Sequence, residues 1–312
     1  MKKFLLPLVA AAAVLLPATG FSAPLNKTQV SATAKWVFHV DFEAFHASQI
    51  GQLVKQEVKA QHQAKLDAMK QLLGSDLTAD INGLTVFGPD ANEANATALI
   101  YGTFNREKLL GLLVLNSAYA ESTYGDQKLY HWQDDHHGKN QVGAFAANNL
   151  IIISQTEGSV KAALDVLAGQ GVSLAANKGT PLYSLTEGTQ GAFVVAAANG
   201  LSELTQDKNH AAILQNSKMI ATFADETEGN LRLFVQLEAN NAEAAQQVEQ
   251  VARGMLAFAS LQQQKHPELT PLIGACNLAR TESQIKFEFR YPSEKLFELI
   301  KTFTPHKALL EM

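Results

Sequence analysis

The apolar residues of this chain fall into three patterns. An almost unbroken block runs from Phe4 to Leu16. Alternating runs and runs of helical spacing then follow one another to the end. The block follows Met1-Lys2-Lys3 and precedes Pro17-Ala-Thr-Gly-Phe-Ser-Ala23. A charged start, a short apolar core and a small-residue end form a secretory signal peptide, expected over residues 1–23. The block is shorter than the roughly 20 residues a spanning helix needs. Residues 24–34 are small and polar and read as a flexible leader.

From Trp36 the pattern alternates. Trp36, Phe38, Val40 and Phe42 share one strand face, with His39 and Asp41 on the other. A long helix is expected next, with Ile50, Leu53, Val54, Val58, Leu66, Met69, Leu72 and Leu73 at helical spacing and Gly74 as its stop. Strands are expected at Leu84–Phe87 and Thr97–Tyr101, separated by the turn signal Gly88-Pro89-Asp90. A helix capped by Asn105 carries Leu109, Leu110, Leu112 and Leu113. Strands near Leu129–Gln133, Val142–Ala146 and Leu150–Ser154 follow, the last two joined through Asn148-Asn149. Thr156 opens a helix with Val160, Ala163, Leu164 and Leu167.

The pattern then repeats. Residues 172–188 (Ala175-Ala-Asn-Lys-Gly-Thr-Pro181, Thr186-Glu-Gly-Thr) read as a linker. Beyond it come a strand at Gly191–Ala196, a weaker helical stretch at about Gly200–Leu214, and a hairpin of Met219–Ala224 with Leu231–Leu237. A long helix carrying Ala245, Val248, Val251, Ala252, Met255 and Phe258 is next. A hairpin of Gly274–Ala279 with Gln284–Phe289 and a helix opened by Pro292 complete the half. Both halves read β-α-β-β-α-β-β-α, with one extra strand in the first. The expected fold is α+β: two related halves, 35–171 and 189–305, of mainly antiparallel sheets with helices packed on one face, and a tail at 306–312. The common element order suggests an internal duplication.

Some of these residues carry a resemblance. Ala34-Lys35-Trp36-Val-Phe-His-Val-Asp41 resembles the opening strand of uncharacterised secreted bacterial proteins of the planctomycete type, which begin W-V-x-H-[VL]-D and then turn into a helix. Leu84-Thr-Val-Phe-Gly88 and the hairpin-helix stretch Gly143–Gly158 are similar to later parts of the same family. The resemblance implies the architecture and brings no activity with it.

Charge narrows the partners. The chain carries 25 Lys+Arg and 30 Asp+Glu, a net −5. Loss of Lys2 and Lys3 with the leader leaves 23 against 30, or −7. An acidic chain with scattered lysines is a poor nucleic-acid binder and has no polybasic membrane patch. No later stretch holds 18 consecutive apolar residues, so no transmembrane anchor is expected after the leader. The single cysteine, Cys276, rules out an internal disulfide and, lying far from the cleavage region, a lipid anchor.

Candidate chemistry is sparse. His131-Trp-Gln-Asp134-Asp135-His136-His137 gathers imidazole and carboxylate groups that suit zinc, copper or nickel. The spacing matches no metal signature, and adjacent histidines point apart in an extended chain, so a solvated hairpin loop is the competing reading. His39, Asp41 and His46 form a second cluster, able to orient an imidazole for acid-base work or simply to hydrogen-bond beneath a helix layer. His46, at the start of the long helix, is expected to be exposed. Ser283-Gln-Ile-Lys286 matches the S-x-x-K pattern but at a hairpin turn, not a helix start. Asn26-Lys-Thr28 and Asn95-Ala-Thr97 match glycosylation sequons, which a bacterial export signal makes incidental. No other nucleophile, phosphate-loop or dinucleotide pattern is present. The sequence therefore points to a non-catalytic periplasmic or secreted protein with a binding or envelope-support role. It assigns no catalytic, cofactor or metal residue, and leaves the ligand or envelope partner unnamed. The alternative is a hydrolase or metal-dependent enzyme using His39, Asp41 and the His131–His137 loop.

Overall fold

A computed structural model describes residues 24–73, 80–135, 138–204 and 212–303. The expected signal peptide, the 306–312 tail, His136, His137 and the middle of the Gly200–Leu214 stretch lie outside the described residues. In chain order the strands are β1 (Trp36–Asp41), β2 (Ile81–Gly88), β3 (Thr97–Gly102), β4 (Ala120–Tyr124), β5 (Gln127–Gln133), β6 (Asn140–Ala147), β7 (Leu150–Ser154), β8 (Val194–Asn199), β9 (Ser217–Thr227), β10 (Asn230–Ala239), β11 (Cys276–Thr281) and β12 (Gln284–Pro292). The helices are α1 (Phe42–Ala47), α2 (Gln49–Leu73), α3 (Arg106–Leu113), α4 (Glu157–Leu167), α5 (Pro181–Leu185), α6 (Leu201–Leu204), α7 (Ala212–Gln215), α8 (Ala242–Leu261), α9 (Leu269–Gly274) and α10 (Ser293–Phe303).

The fold class is α+β, and every strand pairing is antiparallel. Among the described residues twelve strands form one sheet, in the order β11-β12-β10-β9-β8-β1-β2-β3-β7-β6-β5-β4. The halves therefore do not carry separate sheets. Their first strands pair with each other, Trp36 opposite Ala198 and Val40 opposite Val194, so neither leaves an open edge at the centre. Outward from that pair, β1-β2-β3-β7-β6 and β8-β9-β10-β12-β11 follow the same order of elements. Beyond β6 the first half adds β5 and β4. Strand β4, Ala-Glu-Ser-Thr-Tyr, is an edge strand with no apolar alternation, which is why the pattern of the sequence did not mark it.

The expectation of helices on one face is corrected: they cover both. One sheet face carries Val37, Phe87, Leu99, Val142 and Ile152, which pack with Val160, Ala163 and Leu164 of α4. The other carries Leu237, Ile285 and Ile220, packed with Ala244, Ala245 and Val248 of α8. The central part of that second face holds Val40, Leu84 and Phe42. Strands apolar on both faces need a cover on each.

The expected flexible leader and linker are corrected as well. They clip together over the first face. Leu174 donates its backbone N–H to Val30 O at 2.7 Å, Ala32 to Val172 O at 2.9 Å, and Ala175 to Lys27 O at 3.0 Å. Val30, Leu174 and Leu182 are fully buried in the main core. Single apolar residues among polar neighbours weigh little in composition, yet each fills a core position here. Lys27 completes the clip by donating from Nζ to Tyr183 O at 3.1 Å and lying 4.2 Å from the Tyr183 ring centroid.

The long helix breaks at Ser48 into α1 and α2. Asp41 caps α1, its Oδ1 accepting from Ala44 N at 2.9 Å. At the elbow a Cβ on Gly51 would stand 1.8 Å from Phe45 O, so only glycine lets α2 begin this close to α1. The first amides of α2 are capped from far along the chain. Glu226 of β9 accepts from Gln49 N at 2.6 Å and Ile50 N at 2.9 Å, and from Ser293 Oγ at 2.6 Å. Lys301 of α10 then pairs with Glu57 of α2 at 2.7 Å.

Candidate functional site

The polar residues singled out in the sequence are dispersed by the sheet. His39 is fully buried on β1, its Nδ1 2.9 Å from Thr85 Oγ1 on β2. Thr85 Oγ1 in turn lies 3.4 Å from the Tyr101 hydroxyl, whose pKa burial pushes up to about 12. Asp41 is buried and spends its carboxylate on the cap of α1. His46 is buried, not exposed as expected. Its ring sits 5.8 Å from the Phe45 ring. Burial first, and the nearby Lys55 charge second, push its pKa down to about 4, so it is neutral at physiological pH.

His131 lies five strand positions away on β5. At about 4.8 Å per strand that places it roughly 24 Å from His39. Its Nε2 is 2.8 Å from Ser122 Oγ, and Glu157 stands 3.8 Å from the same nitrogen. Glu157 is held below the usual carboxylate range mainly by its hydrogen bond from Lys161. Asp134 and Asp135 sit in the β5–β6 turn. Asp134 N donates to Lys139 O, and Asp135 Oδ1 accepts from Asn116 Nδ2 at 3.3 Å. His39 and Asp41 thus share no site with this loop. Among the described residues no group of three or more His, Cys, Asp or Glu is placed to hold a metal ion. Cys276 is half-buried, donates to Leu272 O at 3.4 Å, and has its thiol pKa raised by burial. Ser283 lies in the turn between β11 and β12 and does not open a helix.

A shallow cleft beside β6 is lined by Phe104, Arg106, Lys128 and Phe145. Its cations are engaged. Arg106 donates to the Tyr130 hydroxyl at 2.9 Å and lies 4.9 Å from the Phe145 ring centroid, and Lys128 pairs with Glu121 at 2.8 Å.

The feature that stands out on the surface is apolar. Helix α8 buries Ala244, Ala245 and Val248 at its N-terminal end, while Val251 is 44% exposed, Met255 63%, Phe258 64% and Leu261 74%. Ala244, Ala245 and Val248 pack on the sheet, and Val251, Met255, Phe258 and Leu261 continue the apolar side of the helix toward its C-terminal end, where they are exposed. The polar side is self-paired, with Glu249 accepting from Arg253 Nε at 2.9 Å and from Arg280 Nε at 2.6 Å. These bonds fasten α8 to the edge strand β11.

No protein-family model matches the chain, and no curated protein matches it. Solved structures do match in fold. Crystal form III of TP0453 superposes with a TM-score of 0.50 at 12% identity, over 90% of this chain and 100% of that one. Crystal form I of TP0453 gives 0.47 at 12% identity, over 91% and 99%. At this identity the first likeness speaks for the fold alone. It spans both halves, so the single joined sheet is the unit of comparison. Among the described residues no helix is long and apolar enough to cross a membrane.

Proposed function

We propose that this chain is an exported bacterial protein without catalytic activity, acting in the cell envelope by binding a partner through the exposed stripe of α8. The observation that carries the reading is the contrast between the two kinds of surface. His39 and Asp41 are buried in hydrogen bonds that hold the fold, and His131 lies about 24 Å from His39. The apolar residues of α8 face solvent as a contiguous row, the mark of an interaction site. Export is supported by the pattern of residues 1–23, and kinship with the planctomycete-type secreted proteins by Trp36–Asp41 and Leu84–Gly88. Those two motifs meet in space. The Trp36 ring lies over Gly88, where a Cβ would stand 2.7 Å from it, and Trp36 Nε1 donates to Asp90 O at 2.8 Å. The shared element order of the halves supports an origin by duplication.

The test is a photo-crosslinking amino acid at position 258 in the exporting cell, with position 170 as an exposed control. A periplasmic adduct formed from 258 and not from 170 is expected. Equal labelling at both positions, or a chain retained in the cytoplasm with Met1 intact, would refute the reading.

A further inference from the structure

We propose that the stripe of α8 is a self-association surface, on which a second copy of this chain docks in a two-fold antiparallel helix pair. The inference rests on the binding role assigned to that stripe and names its occupant. Three observations single out a second copy. First, the stripe Val251, Gly254, Met255, Phe258 and Leu261 holds no charge, and the adjacent Glu249 and Arg253 are tied to each other and to Arg280. A charged partner would find nothing to pair with, and a membrane bearing anionic lipid would meet no lysine or arginine row, on a chain of net charge −5. A surface of the same uncharged kind is its chemical match, and the second copy supplies one.

Second, the stripe is self-complementary in shape. Val251 to Leu261 spans about 15 Å of helix. In an antiparallel pair crossing near Met255, Val251 of one copy faces Leu261 of the other, and Gly254 faces Phe258. A Cβ built on Gly254 meets nothing within 4 Å, so this helix position is an open notch. Glycine weakens a helix interior relative to alanine, and here it leaves room for a partner's Phe258 ring. The same match repeats across the two-fold axis, as an isologous contact requires. Third, the area fits a weak, concentration-dependent pair. The exposed parts of the four side chains amount to roughly 400–500 Å² per copy, so pairing buries at most roughly 800–1,000 Å² before any rim is counted, the size of a transient interface rather than an obligate one.

The test is sedimentation velocity of protein purified from the periplasm, from about 1 to 100 µM, with Phe258→Asp and Gly254→Ala variants. A concentration-dependent dimer is expected. Phe258→Asp should weaken it at least about 30-fold with an unchanged circular dichroism spectrum. Gly254→Ala is the discriminating variant. It should raise the melting temperature of the monomer, since alanine favours the helix, while weakening the dimer about tenfold. A purely structural glycine would not move association. A monomer at all concentrations, or a dimer indifferent to both changes, would overturn the proposal. So would Phe258-dependent flotation of a monomeric chain with vesicles of phosphatidylethanolamine and phosphatidylglycerol. Either of the monomeric results, combined with a crosslinked adduct to another molecule at position 258, would leave the binding reading standing and reject only the second copy.

Discussion

Replacing Glu226 by alanine should loosen α2 while leaving the sheet intact. The Glu226 carboxylate caps the first two amides of α2, Gln49 N and Ile50 N, and it also holds Ser293 at the start of α10. Hydrogen bonds to a charged group contribute about 1.5–3 kcal/mol each, and an anion at a helix N-terminus adds about 0.3–1 kcal/mol. Glu226 is half-buried, so water reaches the freed amides and returns part of that energy. A net loss of about 2–4 kcal/mol is the working figure. It should be local. Beyond its first turn α2 is largely exposed and is tied to α10 by Lys301–Glu57, a surface pair of small worth. Hydrogen exchange read by mass spectrometry is the assay. Peptides covering residues 49–60 should exchange roughly 30- to 1,000-fold faster, at tenfold per 1.4 kcal/mol. Peptides from β8, β1 and β2 should be unchanged, and Glu226→Gln should fall between. Unchanged exchange in α2, or an equal increase across the sheet, would refute the argument that this carboxylate positions the helix.

Two further changes act on the same elbow. Gly51→Ala would place a methyl group 1.8 Å from Phe45 O, so α2 must move away from α1; a loss of about 2–3 kcal/mol in urea unfolding is expected, and a loss under about 0.5 kcal/mol would contradict the contact. His46 sets an acid limit: with a folded pKa of about 4 against 6.5 for the free side chain, it costs nothing at pH 7, and its burden grows as pH falls from about 6.5 to about 4, because the unfolded chain takes up the proton first. That burden is about 1–2 kcal/mol after allowance for screening. His46→Gln should therefore lose less melting temperature than the parent between pH 7 and pH 4.5, and parallel losses would remove His46 as the cause.

Much of the framework was legible because it is written in periodicity. The β1 alternation, the Asn148-Asn149 hairpin and the Thr156 cap each depend on neighbours within a few residues, and each forms where the pattern places it. What escaped depends on distant residues. The leader is ordered by Val172 and Leu174 roughly 140 positions on, the α1–α2 break is stabilised by Glu226, and β4 exists because β5 offers it an edge. The apolar side of α8 was readable, but which part of it is covered is decided by Leu237 and Ile285, which no local window contains. The His39 pair and the His131 loop looked alike as polar clusters; only the strand order shows that β2, β3, β7 and β6 lie between their strands.

The place where the two halves part company is also where the exposed surface arises. Their first five strands run in the same order from the central β1–β8 pair. In the first half the connection after the third strand is the eight-residue α3, followed by β4 and β5, which extend the sheet past β6. In the second half the corresponding connection is the twenty-residue α8, and the sheet stops at β11. Helix α8 covers the face above β10 and β12 with its N-terminal half, which finds Leu237, Ile285 and Leu278 to pack against. In its C-terminal half Val251, Met255, Phe258 and Leu261 stay in solvent. A helix kept only to close the core could end near Ala252 or carry polar residues after it. Three more turns of apolar stripe at the sheet's end have a physical use only if something outside this body covers them.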